Sequence, residues 1–504
     1  MEIISLKNGL KIVFDENEHM RSAAVNIYIG CGSRYEPEKY AGVSHFIEHM
    51  LFKGTTHRSC TDIAEQMDEI GGRLNAFTTK EYTCVYTQAL SCHIETALEI
   101  VLDMLLYSSF KEADINTEKG VICEEIGMYE DSPEDVCFDL MCSGIWPKSS
   151  LGRPIIGNRV SVNSLSRDDI TNFMKKYYTP DNMTIAVSGR FDKDRVYKII
   201  EKALGTLRHE DNEFKENDIS QHKLSSFSVP KLGSIGNTNI MGQIAENTVQ
   251  PSLCLDGLDI MPYKSGDISV QNCTLADLCK NAAQHLLSDY AITAKSSDVF
   301  PKFHSSISLY NHDFEQTNLI IAFPGLQVND EARYAAALMS SIAGASSSSR
   351  LNRRIREELG MAYSIYSFHT SHIGAGVFGV SAGVSHDNQG RVIDESLKIL
   401  LTLKSSITEA ELTRSKQQLK SSIAMSLEST SARSSSFGHS LLIDGCVEDE
   451  DIVMSKIDAV TLQQIKLIAD RIIDINKIHI AVAGQAESEG FYKKIIEKAY
   501  KYNY

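Results

Sequence analysis

An α+β fold made of two homologous halves is predicted by three observations. The β-rich segments arrive in adjacent pairs, helical patterning fills the gaps without regular βαβ alternation, and a strand-and-helix repeat links the early part of the chain to its end. Residues 10–14 (Leu-Lys-Ile-Val-Phe) are β-rich, and residues 22–29 follow after a charged turn, so a strand pair opens the chain. Helical patterning then begins near Gly42. A second strand pair is expected over 74–79 and 83–89. Between 94 and 107 the spacing of Ala97, Ile100, Val101, Met104 and Leu105 is that of an amphipathic helix.

The repeat sets the architecture. Ile185-Ala186-Val187-Ser188-Gly189 recurs as Ile480-Ala481-Val482-Ala483-Gly484, preceded by helix-like segments around Ile170 and Ile465. The helices that follow also match, Ile199-Ile200-Glu201-Lys202-Ala203 against Ile495-Ile496-Glu497-Lys498-Ala499. A helix, strand and helix in one order at nearly constant offset predict two halves, each a mainly antiparallel sheet packed with helices, over residues 1–208 and 298–504. Between them, 209–297 opens with a charged run and continues Ser/Gly/Asn-rich, with one helical stretch near 274–290. It is expected to be a long, partly disordered linker carrying a small inserted subdomain.

Composition narrows the function classes. The 504 residues carry Lys+Arg 50 against Asp+Glu 66, a net charge of -16 with no basic block, so nothing offers a phosphate backbone an electrostatic footprint and no nucleic-acid partner is expected. No apolar run reaches the ~18–20 residues that span a bilayer, so no membrane is expected either. The start has neither signal-peptide nor transit-peptide character. The 11 cysteines lack CxxC spacing, which points to free thiols in a reducing compartment, and a cytoplasmic protein is expected.

His45-Phe46-Ile47-Glu48-His49 heads an apolar helical run from Gly42 to Phe52. Residues four apart share a helix face, so His45 and His49 can offer two imidazole nitrogens to one ion while Glu48 lies on the neighbouring line. This is the order of the HxxEH inverted zincin motif, in which the histidines ligate zinc and the glutamate handles a proton. A catalytic zinc needs a third protein ligand. The candidates lie in the segment 118–130, where Glu118 and Glu125 are seven apart, two turns along one face, with Val121 and Ile122 between them as a packing stripe. One can ligate while the other orients.

HxxEH at 45–49 followed by Glu118 and Glu125 resembles the M16 family of zinc metallopeptidases (the pitrilysin superfamily). The longer string Gly42-Val43-Ser44-His45-Phe46-Ile47-Glu48-His49-Met50-Leu51-Phe52-Lys53-Gly54-Thr55 is most similar to its branch of bacterial peptidases akin to the mitochondrial processing peptidase β-subunit. The resemblance covers 1–208 and 298–504. It implies one Zn2+ per chain held by His45, His49 and Glu125, Glu48 as the proton-handling group, and Glu118 as a support for the ligands.

Further residues follow from the same resemblance. Gly71-Gly72-Arg73-Leu74-Asn75-Ala76-Phe77-Thr78 is similar to the family's edge strand, with Asn75 and Ala76 contacting an extended peptide that adds as a further strand. Arg356 and Tyr363 resemble the pair in the second half that reaches the substrate backbone, a fixed cation and a phenol donor suited to a developing oxyanion. Asp135 and Asp139 resemble acids that select a basic residue on the substrate's amino side, and Phe52 the aromatic contact for the residue after the scissile bond. No HxxEH occurs in the second half, where the corresponding helix reads Ala335-Ala336-Ala337-Leu338-Met339-Ser340-Ser341, so a single zinc site per chain is expected.

The expected activity is therefore zinc-dependent endopeptidase cleavage of extended or presequence-like peptides. The alternative is a catalytically silent M16-like subunit acting as a structural or substrate-binding partner. A purely structural zinc module fits poorly, because such sites close the fourth position with Cys or His. The resemblance admits a homodimer, a heterodimer with a related chain, or a monomer.

Overall fold

The computed structural model describes residues 1–207 and 300–502; the expected insert, 209–297, lies outside the described residues. The first half folds around a six-stranded sheet made from β1 (Glu2–Ser5), β2 (Lys11–Glu16), β3 (Ser22–Ile29), β4 (Arg73–Thr78), β5 (Thr83–Leu90) and β6 (Met183–Gly189), in the order β1-β2-β6-β3-β5-β4. The second half contributes β7 (Ile307–Asn311), β8 (Thr317–Pro324), β9 (Ala362–His372), β10 (Ala375–Val384) and β11 (His479–Gly484), in the order β7-β11-β8-β10-β9. Apart from β1 the two orders correspond strand for strand, and in each sheet one parallel pair, β2 with β6 and β7 with β11, sits among antiparallel neighbours. The repeat read from sequence is thus a repeat of topology. The helices flanking it are also in place, Arg167–Tyr177 and Lys193–Leu204 against Leu462–Ile472 and Glu489–Ala499.

The repeated strands divide their side chains between two layers. Ile185 and Val187 enter the core of the first half, and Ile480 and Val482 that of the second. The intervening alanines point the other way, Ala186 into a cluster with Val13, Phe437 and Leu441, and Ala481 and Ala483 into one with Met141, Ile145 and Trp146. Period-two alternation therefore puts bulky residues on a half's own helices and small ones on a helix borrowed from the other half.

Four helices matter for the site and this exchange: α1 (Val43–Leu51), α2 (Glu112–Glu130), α3 (Pro133–Ile145) and α4 (Thr430–Ile443). Helix α3 leaves the first half to cover the second sheet, and α4 does the reverse. Each approaches its sheet through a glycine. A Cβ on Gly144 would lie 2.3 Å from His479 Cε1, and one on Gly438 2.6 Å from Tyr28 Cε2.

Each buried large apolar side chain on these faces is worth about 1.5–3 kcal/mol, so neither half can shed the other's helix without exposing a core surface. Polar contacts reinforce the exchange. Arg433 on α4 grips Asp15 through two hydrogen bonds of 2.6 and 2.9 Å, and the Ile373 N–H donates to Glu81 at 3.0 Å. Among the described residues no helix is long and apolar enough to cross a membrane.

Candidate metal centre

Helix α1 is anchored by its apolar face. Val43, Phe46, Ile47, Met50 and Leu51 are buried in the first core, and the 3.6-residue period leaves His45, Glu48 and His49 on the face that meets α2 and β4. Its N-terminus carries a buried partner that sequence reasoning missed. The Glu36 carboxylate accepts the N–H groups of Gly42 (2.7 Å) and Ser44 (2.8 Å), filling donors that a helix start leaves open. Burial pushes the pKa of Glu36 up to about 7, although these N–H groups pull it down.

Helix α2 presents two glutamates to α1. Ile115, Ile122 and Ile126 hold it to the core. Val121, expected to share that stripe, is 46% exposed, because one residue of helix turns by about 100° and only Ile122 can face inward. Buried Glu118 lies 2.8 Å from His49 Nδ1 through Oε1 and 2.5 Å from Lys53 Nζ through Oε2. A carboxylate only accepts, so Nδ1 of His49 carries the proton and, in the neutral ring, Nε2 keeps its lone pair. That Nε2 faces Glu125 Oε2 at 3.5 Å, and His45 Nε2 faces the same oxygen at 3.7 Å.

One ligand atom from each of His45, His49 and Glu125 falls within a set whose members all lie within 4.8 Å of one another. Ligands about 2.0–2.2 Å from a tetrahedral zinc stand roughly 3.3–3.6 Å apart, so both imidazole–carboxylate separations are those of a ligand pair more than of a hydrogen bond. Glu125 Oε2 is buried with no hydrogen-bond partner among the described residues, as a cation-facing oxygen would be without its ion. The donor set fits zinc.

For His45 the protonation state agrees with that fit. Burial, with His49 adding to it, pushes the His45 pKa down to about 3, so its ring stays neutral. Burial also opposes the charged form of His49, but Glu118, Glu125 and Glu48 outweigh it and raise that pKa. Glu118 is held below the usual carboxylate range: burial acts against its charge, and His49 and Lys53 overcome it. Glu48 and Glu125 are both raised, chiefly by burial.

Other candidates fall at varying removes. Phe52 caps the C-terminus of α1, half-buried against the core. Asn75 and Ala76 lie on β4, which among the described residues pairs only with β5 and so forms the edge of its sheet. Asn75 Oδ1 accepts the Ala76 N–H at 2.9 Å. Asp135 and Asp139 stand on α3, which Ser132 caps and Pro133 opens. Burial raises the Asp139 pKa, with Lys80 favouring its charge and Asp135 opposing it. Glu125, Asp135, Asp139 and Glu48 all add to burial in raising the pKa of Tyr129.

Arg356 and Tyr363 belong to the second half. Arg356 sits 3.9 Å from Glu357, and Tyr363 is 69% exposed near the start of β9. Lys53, Thr78 and Tyr129 also escaped the sequence reading. Only Lys53 carried a usable signal, its i+4 spacing from His49.

Replacing Lys53 by Met should weaken zinc binding by about 10-fold, the lower range for loss of an outer support, through looser seating of Glu118 and His49. Competition with a chromophoric chelator measures it, and unchanged affinity would show that Glu118 needs no second partner.

A family model described as Insulinase (Peptidase family M16) matches residues 11–159. Another, Peptidase M16 inactive domain, matches 164–259 and 266–419. The chain is 32% identical over 465 residues to "Uncharacterized zinc protease YmxG" of Bacillus subtilis (strain 168), covering 92% of this chain and 93% of that protein. Among solved structures, a protease from Helicobacter pylori superposes with a TM-score of 0.71 at 17% identity, over 96% of this chain and 99% of that one. A chain of complex III2 from Candida albicans superposes with a TM-score of 0.70 at 19% identity, over 99% of each chain. At these identities the structural likenesses speak for the fold.

Proposed function

The chain belongs to peptidase family M16, and on that premise we propose that it is a zinc-dependent endopeptidase acting on extended or presequence-like peptides, with one zinc per chain. The observation that carries the reading is the convergence of His45, His49 and Glu125 on one point with Glu48 on the same helix face. Bound there, zinc would supply Lewis acidity, acidifying water and polarising a scissile carbonyl.

The chain's own groups do the rest. Glu118, itself held by Lys53, fixes the tautomer and orientation of His49. Glu48 takes the proton of the attacking water and returns it to the leaving nitrogen, and its burial-raised pKa suits a group that must both accept and donate. The edge strand β4, with Asn75 and Ala76, receives the substrate backbone as an added strand. Arg356 and Tyr363, exposed on the second half, are assigned to its carbonyls, and Phe52 to the residue after the scissile bond. Asp135 and Asp139 favour a basic side chain on the amino side.

Incubating the zinc-loaded chain with a presequence-like peptide, with and without a chelator, tests the reading. Cleavage is expected, lost with chelator and restored by zinc, with Arg or Lys enriched on the amino side of the cuts in the mass spectra. No cleavage by zinc-loaded protein would favour the silent-subunit alternative, and cuts without basic enrichment would remove Asp135 and Asp139 from the assignment. Light scattering on the same preparation distinguishes monomer, homodimer and a need for a related partner.

A further inference from the structure

The hydroxyl of Thr78 donates to Glu48 Oε2 at 2.6 Å. Thr78 is the last residue of β4, and alternation along the strand puts Leu74, Ala76 and Thr78 on the face that packs against α1. The β-branched side chain is stiff about its first torsion, so its hydroxyl is a fixed donor. The backbone below it is fixed too. In the turn after β4, the Thr79 hydroxyl donates to the Tyr82 carbonyl at 2.9 Å and accepts the Tyr82 N–H at 3.0 Å. Glu81 in that turn is fastened to Ile373 of the second half. The Thr78 hydroxyl is the hydrogen-bonding group that acts on Glu48, and it holds Oε2.

We propose that Thr78 is a positioning residue for Glu48: it clamps one carboxylate oxygen and leaves the other to meet the attacking water. The clamp thereby ties the proton-handling group to the strand assigned to receive the substrate. It is distinct from the His49–Glu118–Lys53 chain, which orients a ligand. The inference rests on the reading of Glu48 given above.

T78V keeps the shape of the side chain and deletes the hydroxyl. It should lower kcat about 10- to 100-fold, the range for losing a hydrogen bond to a charged group, with KM and zinc affinity unchanged. T78S, which restores the donor, should recover most of the rate. Loss confined to KM, loss of zinc, or a T78V rate within twofold of the parent would each overturn the proposal.

A readout independent of hydrolysis separates this from failure of the peptidase reading. In chelator-treated protein, the urea midpoints of T78V, E48A and the double variant should be non-additive. Additive midpoints would sink the clamp even if the enzyme is active. Coupled midpoints in a protein without peptidase activity would retain the contact but remove its positioning role, overturning the proposal together with the reading of Glu48.

Discussion

Glu48→Gln is expected to abolish peptide hydrolysis while leaving zinc in place. Glutamine preserves the volume of the side chain, and its carbonyl oxygen can still accept the Thr78 hydroxyl, so the packing of α1 on β4 has no reason to change. What disappears is a group able to take a proton. General acid–base catalysis contributes about 10²–10⁴-fold, and kcat/KM should fall by that factor. Zinc stoichiometry, by metal analysis after dialysis, should match the parent, because Glu48 lies outside the converging set. A rate near that of the parent would exclude Glu48 as the proton-handling residue.

Alanine at His45, His49 or Glu125 should remove both zinc and activity, and for Glu125 the loss should come without a stability penalty in the metal-free protein. The physical reason is the unsatisfied state of the site. Among the described residues Glu125 Oε2 is buried with no hydrogen-bond partner, and burial raises the carboxyl pKa, so without a cation this side chain contributes little to folding.

With free zinc at 100 times its Kd, the parent should gain about 2.7 kcal/mol of stability, seen as a rise in Tm. Glu125→Ala should show no such rise, and after chelation it should melt no lower than the chelated parent. A zinc-induced Tm rise that survives in Glu125→Ala would point to a different third ligand. Glu118 is already committed to His49 and Lys53 and is a poor candidate for that place.

Much of this was legible in the linear chain. The twin strands Ile185-Ala186-Val187 and Ile480-Ala481-Val482 announce the two halves, because a strand buried on both faces must be apolar throughout. Residues 22–29 and 94–107 were delimited by strand and helix periodicity, and the observed elements Ser22–Ile29 and Ile94–Tyr107 have the same limits. HxxEH is legible because helix geometry alone places its three polar side chains on adjoining lines.

The rest depends on packing between segments far apart in sequence. Nothing local says that α3 will leave its own half for the other sheet, or that a threonine closing an edge strand will reach Glu48. Which of Glu118 and Glu125 faces the imidazoles, and which is drawn away toward His49 Nδ1 and Lys53, is decided by the rotation of α2 against α1. Periodicity along one helix determines which side chains can share a face; the partners opposite that face are determined by the crossing of two elements, and only the folded chain specifies it.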